Sequence, residues 1–263
     1  MRFLIAPLLA SLPTLCAGQT TAPPPASCLV PEKEVATTAD QKQIAQLYAA
    51  IAPVLDTVFR GLGTSPDNMP NICLTDHSGS SLGEYFGAAH TVVLHRDIPT
   101  SLKQGILLHE LRHADQFRRG FCPSNDISME ANARAVAAME ADASAISLLA
   151  AWELSGKGNP QIWEALLSWP MQSDIAARFA QEMKASGNTT TAVTMAFAQW
   201  YDLELRWHSY YVASCSDFLD RQDESHLLPS YNALPQSFLN DLCVMSDGTP
   251  YPCDDTNRRA RSR

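Results

Sequence analysis

His109 and His113 stand four residues apart with Glu110 directly after the first, in the run His109-Glu110-Leu111-Arg112-His113. On a helix that spacing points both imidazoles the same way. Two neutral imidazoles on one face can hold a zinc ion, and a carboxylate one step round the helix can take a proton from water on the metal. The chemistry implied is metal-assisted hydrolysis, with one Zn2+ ion as cofactor, His109 and His113 as ligands and Glu110 as general base.

A catalytic zinc keeps three protein ligands and one open position, whereas a structural zinc is usually closed by four. The extended motif that supplies a third histidine, with a glycine before it, is absent: Gln116 and Arg119 occupy those places. A carboxylate is therefore expected. Met139-Glu140-Ala141-Asp142-Ala143 offers two, among alanines small enough to let one helix approach another closely. Glu140 is the first choice as ligand. Asp142 then suits an outer role, accepting the free N–H of a ligating histidine and fixing its tautomer. Two residues of helix turn a side chain through more than half a circle, so only one of the pair can face the metal, and their roles can be exchanged. Glu130 is a weaker rival, since Arg134 one turn later can pair with it.

His109-Glu110-x-x-His113 followed by Glu140-Ala141-Asp142-Ala143 resembles the gluzincin type of zinc metallopeptidase. The segment His109 to Gln116, HELRHADQ, is similar to an uncharacterised bacterial putative-metallopeptidase family. The likeness runs from about Leu102 to Ala150, and it departs from the gluzincin pattern at Ala138, where the ligating glutamate usually stands four residues before an aspartate. The resemblance implies a zincin-like domain, a zinc-bound water, Glu110 as general base, and peptide or protein substrates cut at the peptide bond. An oxyanion donor beyond the metal would help such a reaction. Tyr201, His208, Tyr210, Tyr211 and His226 are candidates, each with a competing reading as a core or loop residue.

The elements that must carry these groups follow from periodicity. Thr38 and Gln41 form a capping-box pattern before apolar residues at helical spacing from Ile44 to Leu62, with a kink expected at Pro53. Ile72-Cys73-Leu74 and His90 to His95 read as a small β-hairpin or sheet fragment, separated by a Ser/Gly-rich stretch, and substrate could lie along the edge of the His90–His95 strand. Helices are expected from Thr100 to about Arg118, Ser128 to Leu154, Pro160 to before Pro170, Ser173 to Ser186, Thr191 to about Ser214, and Gln236 to Leu242. The fold class is mainly α (α+β), a zincin-like helical domain with a small β element before the active-site helix.

Residues 1–18, with Arg2, an apolar run and small residues at Cys16, Ala17 and Gly18, read as a signal peptide, which places the protein in the periplasm or outside the cell. Residues 19–35 read as a Pro/Thr-rich linker, 36–253 as a single domain, and 254–263 as a basic tail. Removing the leader leaves Cys28, Cys73, Cys122, Cys215, Cys243 and Cys253, an even set that suggests three disulfides in an exported chain. Of these, Cys243 and Cys253 flank a loop that could close locally. A formal charge of -9 over 263 residues argues against nucleic acid as a partner. No membrane span is expected in the mature chain, because the richest apolar stretch, Val136 to Trp152, carries Glu140 and Asp142. The rival reading is a disulfide-stabilised helical envelope binding protein, with a structural or vestigial metal site closed by a fourth ligand or packed in the core.

Overall fold

The fold was taken from a computed structural model that describes residues 27–63, 65–76 and 81–254. The expected signal peptide, most of the linker and all of the basic tail but Asp254 lie outside the described residues. In chain order come strand β1 (Ser27–Leu29) and helix α1 (Ala39–Ile51), then the short turns α2 (Leu55–Val58) and α3 (Arg60–Gly63). Strands β2 (Asn71–Thr75), β3 (Gly83–Phe86) and β4 (Thr91–His95) follow. The rest is helical: α4 (Thr100–Arg118), α5 (Met129–Gly156), α6 (Gln161–Ser168), α7 (Ser173–Ser186), α8 (Thr189–Trp200), α9 (Glu204–Glu224) and α10 (Phe238–Leu242). The architecture is mainly α with one small sheet.

Local chemistry sets most helix ends. Thr38 accepts the Gln41 N–H while the Gln41 side chain accepts the Thr38 N–H, completing the capping box that starts α1. A 3-10 turn at Ala52–Val54 replaces α-helix where Pro53 lacks an N–H. Ser128 caps α5 through the Ala131 N–H, and Gly187, in the left-handed region at φ 65, ends α7. Periodicity alone runs one helix through Thr191–Ser214, but the chain breaks at Tyr201–Leu203. The buried Arg206 accounts for the break: its guanidinium turns back to the Trp200 carbonyl at 2.9 Å and to Asp174 at 2.6 Å, satisfying the end of α8.

The sheet has the order β1-β2-β4-β3. β2 and β4 are parallel neighbours, not the arms of a hairpin; β3, from the expected separator, supplies the antiparallel return. Because β4 lies between β2 and β3, the His90–His95 strand has no free edge, and the edge strand packed against α4 is β3. Residues 27–29 leave the expected linker and pair antiparallel with β2, where Cys28 and Cys73 stand opposite each other and are joined by a disulfide. A second disulfide joins Cys243 to Cys253, and Cys122 is disulfide-bonded as well. Cys215 departs from the expected set. It is a free, partly exposed thiol on α9, hydrogen-bonded to Tyr211 rather than facing another sulfur.

α5 is the axis of the molecule. It packs against α4, α6, α7, α8, α9 and α10, and buries side chains on every face from Ala131 to Leu154. A helix apolar all round belongs in a core, and its many alanines let the neighbouring axes come close. By length and composition α5 is also apolar enough to cross a membrane, but 83% of that stretch is buried inside the fold.

Candidate metal centre

α4 carries its two histidines on the face that meets α5, and Glu140 of α5 reaches across to both. His109 Nε2 lies 3.2 Å from Glu140 Oε2, His113 Nε2 3.3 Å from Glu140 Oε1, and the two Nε2 atoms 3.0 Å from each other. Four ligands placed tetrahedrally at about 2.0–2.1 Å from a zinc ion stand roughly 3.3–3.4 Å apart. The three separations are of that size, the two histidines facing different oxygens of Glu140, and one donor atom from each residue lies within 4.8 Å of the other two. Two imidazole nitrogens and one carboxylate also form the donor set that zinc takes. Among the described residues no further His, Cys, Asp or Glu joins this cluster, so three protein donors gather where a catalytic zinc keeps three.

The electrostatics of the cluster are those of a site short of a cation. Burial opposes charge on His113, yet the Glu140 carboxylate outweighs it and pushes the imidazole up to about 9. Burial likewise opposes ionisation of Glu140, but the charge of His113 and hydrogen bonds from both histidines hold its carboxyl well below the usual range. A metal ion would replace the proton that these groups now share.

Glu110 lies beside the cluster on the side of the sheet, 6% exposed. Its carboxylate accepts the backbone N–H of Tyr85, which ties the residue to edge strand β3. Gly83 makes this approach possible: a Cβ there would lie 2.4 Å from Ile106 Cγ2 and 3.4 Å from Glu110 Oε1. Burial raises the Glu110 carboxyl above the ordinary range, with His109, His113 and the Tyr85 N–H working against the shift. A carboxylate raised in this way holds a proton more readily than an exposed one, as a group that must accept and return a proton requires.

Asp142 does not touch a histidine. His113 Nδ1 bonds instead to Gln116 Oε1 at 2.8 Å, and the Gln116 amide donates to Met139 O at 2.8 Å and Asp142 Oδ2 at 2.7 Å. The orienting role expected of Asp142 thus falls to Gln116, with Asp142 one step behind it. The reason is charge: the fully buried Asp142 is gripped by Arg112 through Nε at 2.7 Å and Nη2 at 2.9 Å, and by the Tyr251 hydroxyl at 2.6 Å. Arg112 also donates to Asp115, which in turn takes Arg118 and Arg119. His109 has no such support, since its buried Nδ1 finds no partner among the described residues.

Of the candidate oxyanion donors, the structure brings Tyr210 to the centre. It comes from α9 and hydrogen-bonds to Glu140, whose charge, with burial, raises the phenol well above its ordinary value. Tyr201 packs with Phe197 and Trp200, Tyr211 stacks on Trp207, and His208 and His226 are exposed. Gln116 and Arg112 were legible in principle, Gln116 because it follows His113 by three residues and so shares its helix face. Tyr251 carries no local signal, lying 109 residues from its partner Asp142.

A helical domain with two histidines and a glutamate converging beside a buried second glutamate has the architecture of a metal-dependent hydrolase. Residues 19–253 match the family described as "Putative metallopeptidase family (DUF6782)", and the chain belongs to it. No curated protein and no solved structure matches the chain.

Proposed function

We propose that the protein is an exported zinc peptidase of the gluzincin HExxH type, with His109, His113 and Glu140 as zinc ligands and Glu110 as general base. The observation that carries this reading is the convergence of His109 Nε2, His113 Nε2 and the Glu140 carboxylate, with separations of 3.0–3.3 Å, next to a buried Glu110. A zinc ion held there would act as a Lewis acid and lower the pKa of water at its open position.

The chain's own groups supply the rest. Glu110 takes the proton of the attacking water and returns it to the leaving amine, with Tyr85 N–H fixing one carboxylate oxygen in place. With Glu140 engaged by the metal, Tyr210 turns the hydroxyl hydrogen it gives to Glu140 toward the substrate oxygen as negative charge develops on it. Substrate lies along β3, the free edge beside Glu110, pairing by backbone hydrogen bonds that read little side-chain identity. The disulfides Cys28–Cys73 and Cys243–Cys253 support an oxidising, exported setting.

The test is elemental analysis joined to digestion of a mixed peptide library. Zinc should approach one ion per chain and fall in His109→Ala and His113→Ala. Glu110→Gln should keep its zinc and lose hydrolysis by about 10²–10⁴-fold. Hydrolysis persisting in Glu110→Gln would reject the assigned base, and a chain without zinc would reject the ligand set.

A further inference from the structure

The loop between Cys243 and Cys253 is mostly solvent-facing, from Asp247 to Pro250, yet two of its groups reach the most buried part of the α4–α5 contact. Val244 offers its carbonyl to Arg112 Nη2 at 2.8 Å, and Tyr251, 3% exposed, donates to Asp142 Oδ1 at 2.6 Å. Between them the loop folds back on itself through Tyr251 N to Cys243 O and Met245 N to Thr249 O, with the disulfide at its base.

We propose that this disulfide-closed loop is a positioning clamp for the metal ligand His113, acting through Tyr251 and Val244 on the Arg112–Asp142 pair. The inference rests on the reading of His109, His113 and Glu140 as metal ligands. The chain of contacts is unbroken. His113 Nδ1 is oriented by Gln116, whose amide is held by Asp142 Oδ2. Each Asp142 oxygen receives two donors: Oδ2 from Arg112 Nε and Gln116, Oδ1 from Arg112 Nη2 and Tyr251. A buried carboxylate that loses one of four donors must shift toward those that remain. Any such shift moves the Gln116 amide, and with it the ring that presents Nε2 to the metal.

The disulfide closes the base of a loop whose two arms meet in a single antiparallel bridge, Val244–Pro250, and whose tip is exposed apart from the Ser246 hydroxyl bond to Thr57 O. Opening the disulfide frees Tyr251 to leave Asp142. The cross-link Cys28–Cys73 lies between β1 and β2, away from this chain of hydrogen bonds, so opening it carries a different consequence.

The experiment compares zinc affinity, by competition with a chromophoric chelator, in the full chain and in Tyr251→Phe, Cys243→Ala/Cys253→Ala and Cys28→Ala/Cys73→Ala. Melting temperature is followed without metal, and the His113 Nδ1–H proton by NMR. Tyr251→Phe should bind zinc about tenfold more weakly and the Cys243/Cys253 variant up to about 100-fold, the range that supporting groups of metal ligands command. In both, the Nδ1–H resonance should broaden or vanish. The Cys28/Cys73 variant should lose affinity only as its folded fraction falls. Affinity in Tyr251→Phe and the Cys243/Cys253 variant within about twofold of the parent, or falling only with the folded fraction, overturns the clamp. A parent chain that takes up no zinc removes the reading of the site itself, and the clamp with it.

Discussion

Glu140 and Asp142 stand two residues apart on α5, both reaching α4, but the groups that meet them differ in kind. Glu140 meets two imidazoles, His109 and His113. Asp142 meets the guanidinium of Arg112 in a bidentate pair. A guanidinium never gives up its charge in a protein, whereas an imidazole exchanges its proton near neutral pH. One end of the helix contact is therefore permanent scaffold, and the other is a place where a proton can be traded for a metal ion. Proximity in sequence does not give two carboxylates the same role; the counter-charge decides it.

The largest effect expected from this contrast is at the permanent end. Arg112→Ala leaves Asp142 and Asp115 buried without their shared cation and should cost about 3–5 kcal/mol of stability, whether or not zinc is present, as read from urea unfolding. A loss well below this would mean that the pair is not the scaffold. At the exchangeable end, Glu140→Gln should weaken zinc by more than about 100-fold, beyond what supporting residues cost, while the metal-free chain loses less stability than in Arg112→Ala, since His113 can shed its proton where an arginine cannot. A large drop in metal-free stability would erase the distinction.

Acidity sharpens it further. In the metal-free chain His113 is held up to about 9, so zinc must displace its proton at any lower pH. Affinity should therefore rise about tenfold per pH unit below 9 and level off above it, with close to one proton released on binding at pH 7. Titration calorimetry in buffers of different ionisation enthalpy would measure both; uptake without proton release would contradict the shared-proton picture. The smallest effect concerns the strand that serves the site. Gly83→Ala places a methyl against Ile106 and beside Glu110, and should reduce hydrolysis several-fold by moving β3, with zinc affinity unchanged. A fall in affinity instead would place β3 closer to the ligands than to the base.

Local signals carried much of the fold. The capping box at Thr38, Ser128 before α5 and Gly187 after α7 are written in a few neighbouring residues, and each sets a helix end. The bounds of α4 followed from its apolar period. The misses share a cause, which is partners distant in sequence. Arg206 breaks the run from Thr191 by reaching Asp174; β1 joins the sheet by pairing across to β2; and the parallel pairing of β2 with β4 depends on β3 returning at the edge. Cys215 could not be told from the paired cysteines, because composition counts sulfurs and does not place them.

The candidate centre divides in the same way. The helical repeat of 3.6 residues puts His109 and His113 on one face whatever surrounds them, and Glu110 on the next, so the chemistry these three can do is fixed by spacing alone. Which carboxylate closes the set, which side chain orients His113 and which tyrosine reaches Glu140 depend on how α4, α5 and α9 are rotated and packed. Those rotations follow from burying alanine faces and pairing Arg112 with Asp142, long-range interactions that no short window of residues contains.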